Sequence, residues 1–523
     1  MRPDTADNLQ AGKWTRISLN KTPNGNDEVV SKSPTPQGFE PFEVQGFVNT
    51  GKSEDMSCDS LRHTGELYAE MHHDVGDDIH AIAESLKDHP MVDYSTQDKE
   101  LTHEEVVEKT WLRMAQSSVW LQHYGVFLTV TRVAFYTKGV RQWPIISFLR
   151  AQIHDRDWKE LRDHDIHWQG ETIRFPRILD IPVPYVIEGA FYGPEDPRII
   201  VEGHPEAEPV IVFSMLYDVQ NLRRAMYITR PFSNETTMLH TPNGHLVQTE
   251  KNWVPFVYKE PSTGNAPTGL DASHNDEWPM NYLHFIYDLK PLRVLKCCLL
   301  DGWCDWVYEQ KVPDSHSEHH KDRGGILRGG TNLVALSVQD GVQTFIGFPK
   351  SNVHLGCKEA FYRPSIFVIT AASPNQFHID YMSDSIEYGD QALIPTAKSD
   401  PCGEGRIMMA NSIAKWDRSA GKDLMTITYT VDDVTTQTLR IHGIEAFVNS
   451  MLNRSRFDPS TSESRAYVDP DLLNQQRSDA GYNVLACSVE AAEDYALLLS
   501  ATVNGTDLRT LRLEEEKILQ EEE

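Results

Sequence analysis

Between residues 170 and 450 the apolar positions gather in short runs, among them VIVFSMLY, AMYITRPF, YLHFIYDL, RVLKCCLL, TNLVALS, QTFIGF, SIFVITAA and LMTITYTV, parted by Gly, Pro, Asn and Asp. Runs of that length, with no helical stretches between them, predict an all-β sandwich, barrel or propeller and not a parallel α/β sheet. Upstream the texture changes, and residues 60 to 165 read as helical. LTHEEVVEKTWLRMAQSSVWLQHY opens with Thr102 and Glu105 at capping-box spacing, with Val106, Trp111, Met114 and Trp120 taken as its apolar face. A second helix is predicted on PIISFLRAQIHDRDWKELRDHD, whose proline suits a first turn. Residues 1–45 carry few large apolar groups and read as a flexible stem. The expected organisation is a stem over 1–45, a helical region over 46–165, an all-β body over 166–450, and a C-terminal segment over 451–523. That last segment packs on the body and ends in the acidic tail LRLEEEKILQEEE.

Charge narrows the partners. The formal net charge of -28 is spread along the chain and argues against nucleic acid. No apolar run approaches the roughly 18 residues of a membrane span, and the first residues lack a signal-peptide pattern, so the chain reads as soluble. The seven cysteines include no CxxC pair, which suggests neither a zinc ribbon nor a redox dithiol.

Five stretches could carry chemistry. In GAFYGPEDPRIIVEGH, Glu195, Asp196 and Arg198 precede a strand-like run; the carboxylates could serve glycosyl transfer, or equally form a turn with a surface ion pair. In TEKNWVPFVY, Lys251, Asn252 and Trp253 put a cation, an amide and a flat ring side by side, suited to an anionic sugar or to a strand end with a core Trp. In GGILRGGTNLV, Arg328 beside Gly329 and Gly330 could cradle a diphosphate or form a tight hairpin. GFPKSNVHLGCKEAFYRPSIFV holds Lys350, His354, Lys358, Tyr362 and Arg363, either an anion site or a solvated basic loop. In FHIDYMSDSIEYGD, Asp380, Asp384 and Glu387 could hold sugar hydroxyls. The histidines of DSHSEHHKDRGG read as a polar loop and not as a metal site. No GxSxG elbow or triad appears, which removes acyl transfer.

Taken in order, GPEDPRIIV, RRAMYITRPFS, EKNWVPF, FIYDLKPLRVLKCCLLDGWCDWVYE, LRGGTNLV and YRPSIFVI resemble the fungal β-1,2-mannosyltransferases, glycosyltransferase family 91. EDPR and EKNWxPF are also similar to elements of the β-mannoside phosphorylases of glycoside hydrolase family 130. The resemblance implies a five-bladed β-propeller with an N-terminal helical extension and flanking helices. It implies inverting transfer of mannose from GDP-α-mannose to the 2-hydroxyl of an oligomannoside acceptor. Asp196 is then the expected catalytic residue. Arg198, Lys251, Arg328, Gly329, Gly330, His354, Lys358 and Arg363 would hold the donor diphosphate; Glu195, Asn252, Trp253, Tyr362 and Asp384 would hold sugar. No cofactor is needed beyond the donor, although a divalent metal is compatible. Family members carry an N-terminal anchor and work in the Golgi lumen; this sequence shows no such anchor. The competing readings are a mannoside phosphorylase or hydrolase on the same scaffold, and a non-catalytic mannan-binding propeller.

Overall fold

The computed structural model describes residues 38–51, 57–70, 73–95, 100–137, 143–202, 207–242, 244, 248–259, 281–313, 327–339, 342–353, 361–388, 407–455 and 470–504. Three four-stranded antiparallel sheets follow one another along the chain. The first holds Trp111–Leu121, Val126–Tyr136, Pro144–His154 and Arg177–Ile178; the second Glu195–Ile200, Val210–Asp218, Arg223–Arg230 and Glu235–Met238; the third Val254–Phe256, Tyr282–Asp288, Arg293–Cys298 and Cys304–Glu309. A nine-stranded sheet completes a propeller-like arrangement, with a three-stranded and a two-stranded sheet attached.

Five separate blades were expected, and four units form in their place. The physical reason is the strand Phe39–Val48. It pairs along its length with Arg62–Glu70 and, through Gly46, Phe47 and Val48, with Gln376–Ser383, so one N-terminal strand stitches two groups of strands into a single sheet. Residues 39–45, expected at the end of a flexible stem, are therefore ordered strand. Residues 1–37 and the acidic tail 505–523 lie outside the described residues.

The helical reading of 60–165 is corrected by the structure. Its capping box is real: Thr102 Oγ1 accepts from the Glu105 N–H (3.3 Å) and Glu105 Oε2 accepts from the Thr102 N–H (2.8 Å). The helix it starts, His103–Thr110, lasts two turns and gives way to the strand at Trp111. Val126–Tyr136 and Pro144–His154 are strands too, almost wholly buried on both faces. Burial on both sides erases the alternation that marks a half-exposed strand, and a continuous apolar run then mimics a helix. The β-branched content of VFLTVTRVAFY decides the outcome.

Core side chains lie in layers between neighbouring sheets. Leu128, Val130 and Leu149 of the first sheet meet Ile211 and Phe213 of the second; Ile200, Val210 and Val212 of the second meet Leu283 and Phe285 of the third. The helix Pro470–Asn504 rests on the strand Gln376–Ser383. Arg477 Nη2 donates to the buried Asp380 carboxylate at 2.8 Å, and a Cys58–Cys487 disulfide ties the helix to the N-terminal part of the chain. Cys297 and Cys304 form a second disulfide inside the third sheet. Among the described residues no helix is long and apolar enough to cross a membrane.

Two buried histidines make stability depend on pH. Burial pushes His154 and His378 down to about 4, in His378 with help from the Arg477 charge. The unfolded imidazole titrates near 6.5, so below that pH the unfolded chain binds protons that the folded chain refuses. Stability is full above about 6.5 and is lost as pH falls toward 4, by on the order of 3 kcal/mol for each histidine. We expect urea midpoints to drop across that window and the drop to shrink in His154→Gln; an unchanged profile in the variant would refute the assignment.

Candidate active site

The leading strands of the three four-stranded sheets converge on the two edges of the nine-stranded sheet to form a ring. Glu195–Ile200 contacts Trp111–Leu121, Val254–Phe256 and Met408–Asp417. Hydrogen bonds carry the ring around: Ile199 N–H to Ser117 Oγ (3.0 Å), Ser118 N–H to Ser412 Oγ (2.8 Å), Ile413 N–H to Asn332 Oδ1 (2.9 Å) and Leu333 N–H to the Pro255 carbonyl (3.0 Å). Short hydroxyl and amide side chains satisfy backbone groups that no neighbouring strand pairs, which explains why the ring interior is polar.

The first three leading segments carry left-handed residues in corresponding places: Ala115 (φ 51°), Asp196 (φ 51°) and Asn252 (φ 65°). Asp and Asn tolerate this region better than most residues, and such strain concentrates at functional positions. Around Asp196 the charges are dense. Burial alone would raise its carboxyl, but Lys350, Arg132, Arg198 and Lys251 outweigh burial and hold it at about 2. Lys350 is buried, its Nζ 3.2 Å from Met409 Sδ and 5.5 Å from the Tyr362 ring centroid. Burial lowers its ammonium, Asp196 pulls it partly back, and it stands at about 8. Tyr362, raised by burial, senses Arg328, Asp433 and Asp196. Asp433, in the turn after Leu424–Val431, is pushed up by burial and by repulsion from Asp196.

Neighbouring contacts fix this constellation. Arg198 Nε donates to the Gly330 carbonyl, and Nη1 to the Pro197 carbonyl at 2.9 Å. A Cβ on Gly329 would overlap the Asn252 carbonyl oxygen, and one on Gly330 that of Phe348, so the glycines let three chain segments meet beside Asp196. With the Asn352 amide assigned so that both its atoms are satisfied, its oxygen accepts from the Arg328 guanidinium (3.0 and 3.2 Å). Asn252 Oδ1 is buried with no hydrogen-bond partner among the described residues. Glu195 Oε1 accepts from Arg132 Nη2 (2.9 Å) and Arg224 Nη2 (3.0 Å), so its carboxylate is spent on two guanidinium groups.

Asp196, Arg198, Lys251, Asn252, Arg328, Gly329, Gly330 and Tyr362 are thus brought together. Other expected residues sit elsewhere. Trp253 is core, 2% exposed, its ring against Phe285 and Tyr287; a ring closed on both faces cannot stack on sugar. Arg363 is buried toward Glu387 (3.7 Å), with its guanidinium over Phe361 and near Tyr495 of the C-terminal helix. Asp384 is joined to the N-terminal strand by its N–H to the Gln45 carbonyl (2.9 Å) and neighbours Tyr381. His354 and Lys358 lie outside the described residues. The sequence reading missed Arg132, hidden in a segment read as helix, and Asp433, whose one signal was a paired-Asp turn. Among the described residues no three His, Cys, Asp or Glu groups converge on a metal position. Asp196 is faced by Lys350, Arg132, Arg198 and Lys251, with the Asp433 carboxylate close enough to be repelled by it.

The beta-mannosyltransferase family model matches residues 57–225 and 217–495, which together take in most of the chain. The chain belongs to the beta-mannosyltransferase family. It is 30% identical to beta-mannosyltransferase 4 of Komagataella phaffii over 448 residues, covering 83% of each chain. It is 28% identical to beta-mannosyltransferase 2 of the same yeast over 503 residues, 92% of this chain and 74% of that one. With beta-mannosyltransferase 3 of Candida albicans it shares 28% over 505 residues, 90% and 83% respectively. Among solved structures, a glycosyl hydrolase from Bacteroides ovatus overlaps 63% of this chain and 83% of its own (TM-score 0.38, 11% identity). A member of glycoside hydrolase family 130, from work on enzymes that target β-1,2 mannosidic linkages in Candida mannan, overlaps 69% and 87% (TM-score 0.36, 11% identity).

In this family member the Glu195 junction is testable by itself. Glu195→Gln leaves Arg132 and Arg224, 8% and 9% exposed, without their carboxylate. An uncompensated buried charge costs on the order of 3 kcal/mol. We expect the unfolding free energy to fall by that order, read as a lower urea midpoint at an unchanged m value; a wild-type midpoint would show that the junction is not structural.

Proposed function

We propose that the protein transfers mannose from GDP-α-mannose to the 2-hydroxyl of a mannoside, with inversion at C1, and that Asp196 receives the proton. The observation that carries this reading is the ionised Asp196 carboxylate ringed by Lys350, Arg132, Arg198 and Lys251. Membership of the beta-mannosyltransferase family supports the sugar; the donor nucleotide and the stereochemistry are the finer part of the proposal.

The acceptor O2 attacks C1 from the face opposite the diphosphate. The C1–O bond to phosphate breaks, its electron pair leaves with GDP, and the O2 proton passes to Asp196. A carboxylate held at about 2 is a weak base, too weak to ionise a resting alcohol. It suffices once the new C–O bond has begun to form on an oxocarbenium-like centre, because the attacking oxygen is then positive and its proton acidic. The low value therefore fits a late proton transfer and keeps Asp196 ionised until it takes that proton. Lys350, Lys251 and Arg328 offset charge gathering on the leaving diphosphate, a task that fixed cations perform without solvent reorganisation. The unsatisfied Asn252 Oδ1 is placed to accept from a sugar hydroxyl.

The deciding experiment is incubation with GDP-mannose and a short α-mannoside, with the product linkage read by NMR. A β-1,2 product supports the reading; mannose 1-phosphate released from β-mannobiose and inorganic phosphate, with no transfer from GDP-mannose, replaces it by phosphorolysis. In Asp196→Asn we expect kcat to fall about 10²-fold or more with similar donor affinity, and near-normal turnover would reject the assignment. Lys350 is protonated below about 8. Hence kcat/KM for donor should decline as pH rises through that value, and the alkaline limb should move up in Lys350→Arg, whose guanidinium stays charged.

A further inference from the structure

We propose that Trp143 and Phe191 form an aromatic platform that holds an acceptor oligosaccharide at a sugar beyond the one being glycosylated. This rests on the transferase reading above and names a subsite for it.

Trp143 is 56% exposed immediately before the strand Pro144–His154, and its ring meets the Phe191 ring edge to face at 4.6 Å. A tryptophan held by its neighbour and open to solvent presents a flat apolar face at small conformational cost. Such faces suit the C–H side of a pyranose. The loop beside it adds exposed apolar surface through Tyr185 and Ile187, 37% and 76% exposed.

The platform is connected to the reacting centre. Phe191 has φ 64°, an unfavourable backbone for an aromatic residue, and the chain holds it there from both sides. Its N–H donates to the Pro144 carbonyl (2.8 Å), and its carbonyl accepts from Arg224 Nη2 (3.1 Å). That same nitrogen donates to Glu195 Oε1 (3.0 Å), the residue before Asp196. One guanidinium thus spans the platform and the reacting segment. Next to it, Tyr192 returns its carbonyl to the Ser147 N–H (2.8 Å), and Ser147 Oγ accepts from Arg132 Nε (3.0 Å), the second partner of Glu195. The exposed Trp143 face, held in place by the Phe191 edge, matches a ligand with apolar ring faces. An oligomannoside running outward from Asp196 offers such pyranose faces, and the Arg224 link from Phe191 to Glu195 ties the platform to the segment that bears Asp196.

The test compares a monosaccharide acceptor, methyl α-mannoside, with linear α-linked mannotetraose in the full chain, using GDP-mannose as donor. In Trp143→Ala we expect the ratio of kcat/KM for long over short acceptor to fall about tenfold, carried by KM for the long one. Trp143→Tyr should restore most of the ratio. An unchanged ratio in Trp143→Ala overturns the platform while leaving the transferase reading intact. Should wild type transfer to neither acceptor, calorimetric binding of mannotetraose to wild type and Trp143→Ala decides. Weaker binding in the variant keeps the platform and discards the transferase reading; equal binding, or none, discards the platform.

Discussion

One carboxylate oxygen serves two sheets. Glu195 Oε1 accepts from Arg132 of the first sheet and Arg224 of the second, and the conformation of the next residue, Asp196, depends on that fixed point. Charges this buried are tolerated only when paired. Once Glu195 is committed to two guanidinium groups, its neighbour is left to face the remaining cations. The left-handed backbone at Asp196 turns its side chain out of the strand alternation, toward Lys350, Arg198 and Lys251. A carboxylate paired with two guanidinium groups and one ringed by cations therefore sit side by side.

Much of this constellation was legible as local motif. EDPR, EKNW and LRGG each mix charge with a turn-forming residue, and a turn at the mouth of a strand ring is where side chains can converge from different sheets. Position decided which members took part. Trp253 and Arg363 had the right chemistry, but each faces the interior between sheets or beneath the C-terminal helix, and nothing in a local window reveals that direction. Arg132 was illegible for a related reason. It lies in an eleven-residue strand buried on both faces, whose pattern contains no period to read, so a charge at its centre could not be assigned a side. Likewise the fusion of two strand groups rests on Phe39–Val48, whose nearby partner Arg62–Glu70 lies within reach of a local reading, whereas the pairing of Gly46, Phe47 and Val48 with Gln376–Ser383 does not.

The two carboxylates near Lys350 are pushed in opposite directions, Asp196 down and Asp433 up. Groups driven apart in this way divide labour at many active sites. Here the asymmetry follows from counter-charge, since burial raises both: Asp196 answers to four cations, whereas Asp433 answers to Lys350 and Arg132 and is repelled by Asp196 and Asp432. Adding an anionic diphosphate would draw Lys350 toward the ligand, raising its ammonium and weakening its hold on both carboxylates. Donor binding and the basicity of Asp196 are then coupled: the base strengthens when the donor is in place and is weakest when the site is empty.

The whole-chain charge sharpens this point. At -28 the protein repels nucleotide sugars at long range, yet its mouth gathers Lys251, Arg328 and Lys350. At physiological ionic strength exposed charges are screened beyond about 8 Å, so an approaching diphosphate feels the distant acidic surface little and the local cations strongly. Higher salt would relieve the long-range repulsion and weaken the exposed Lys251 contact more than those of buried Lys350. On the proposed reading, an anionic donor would meet cations of two kinds, Lys350 inside the ring and Lys251 at its exposed edge, and only the first would keep its hold at high salt.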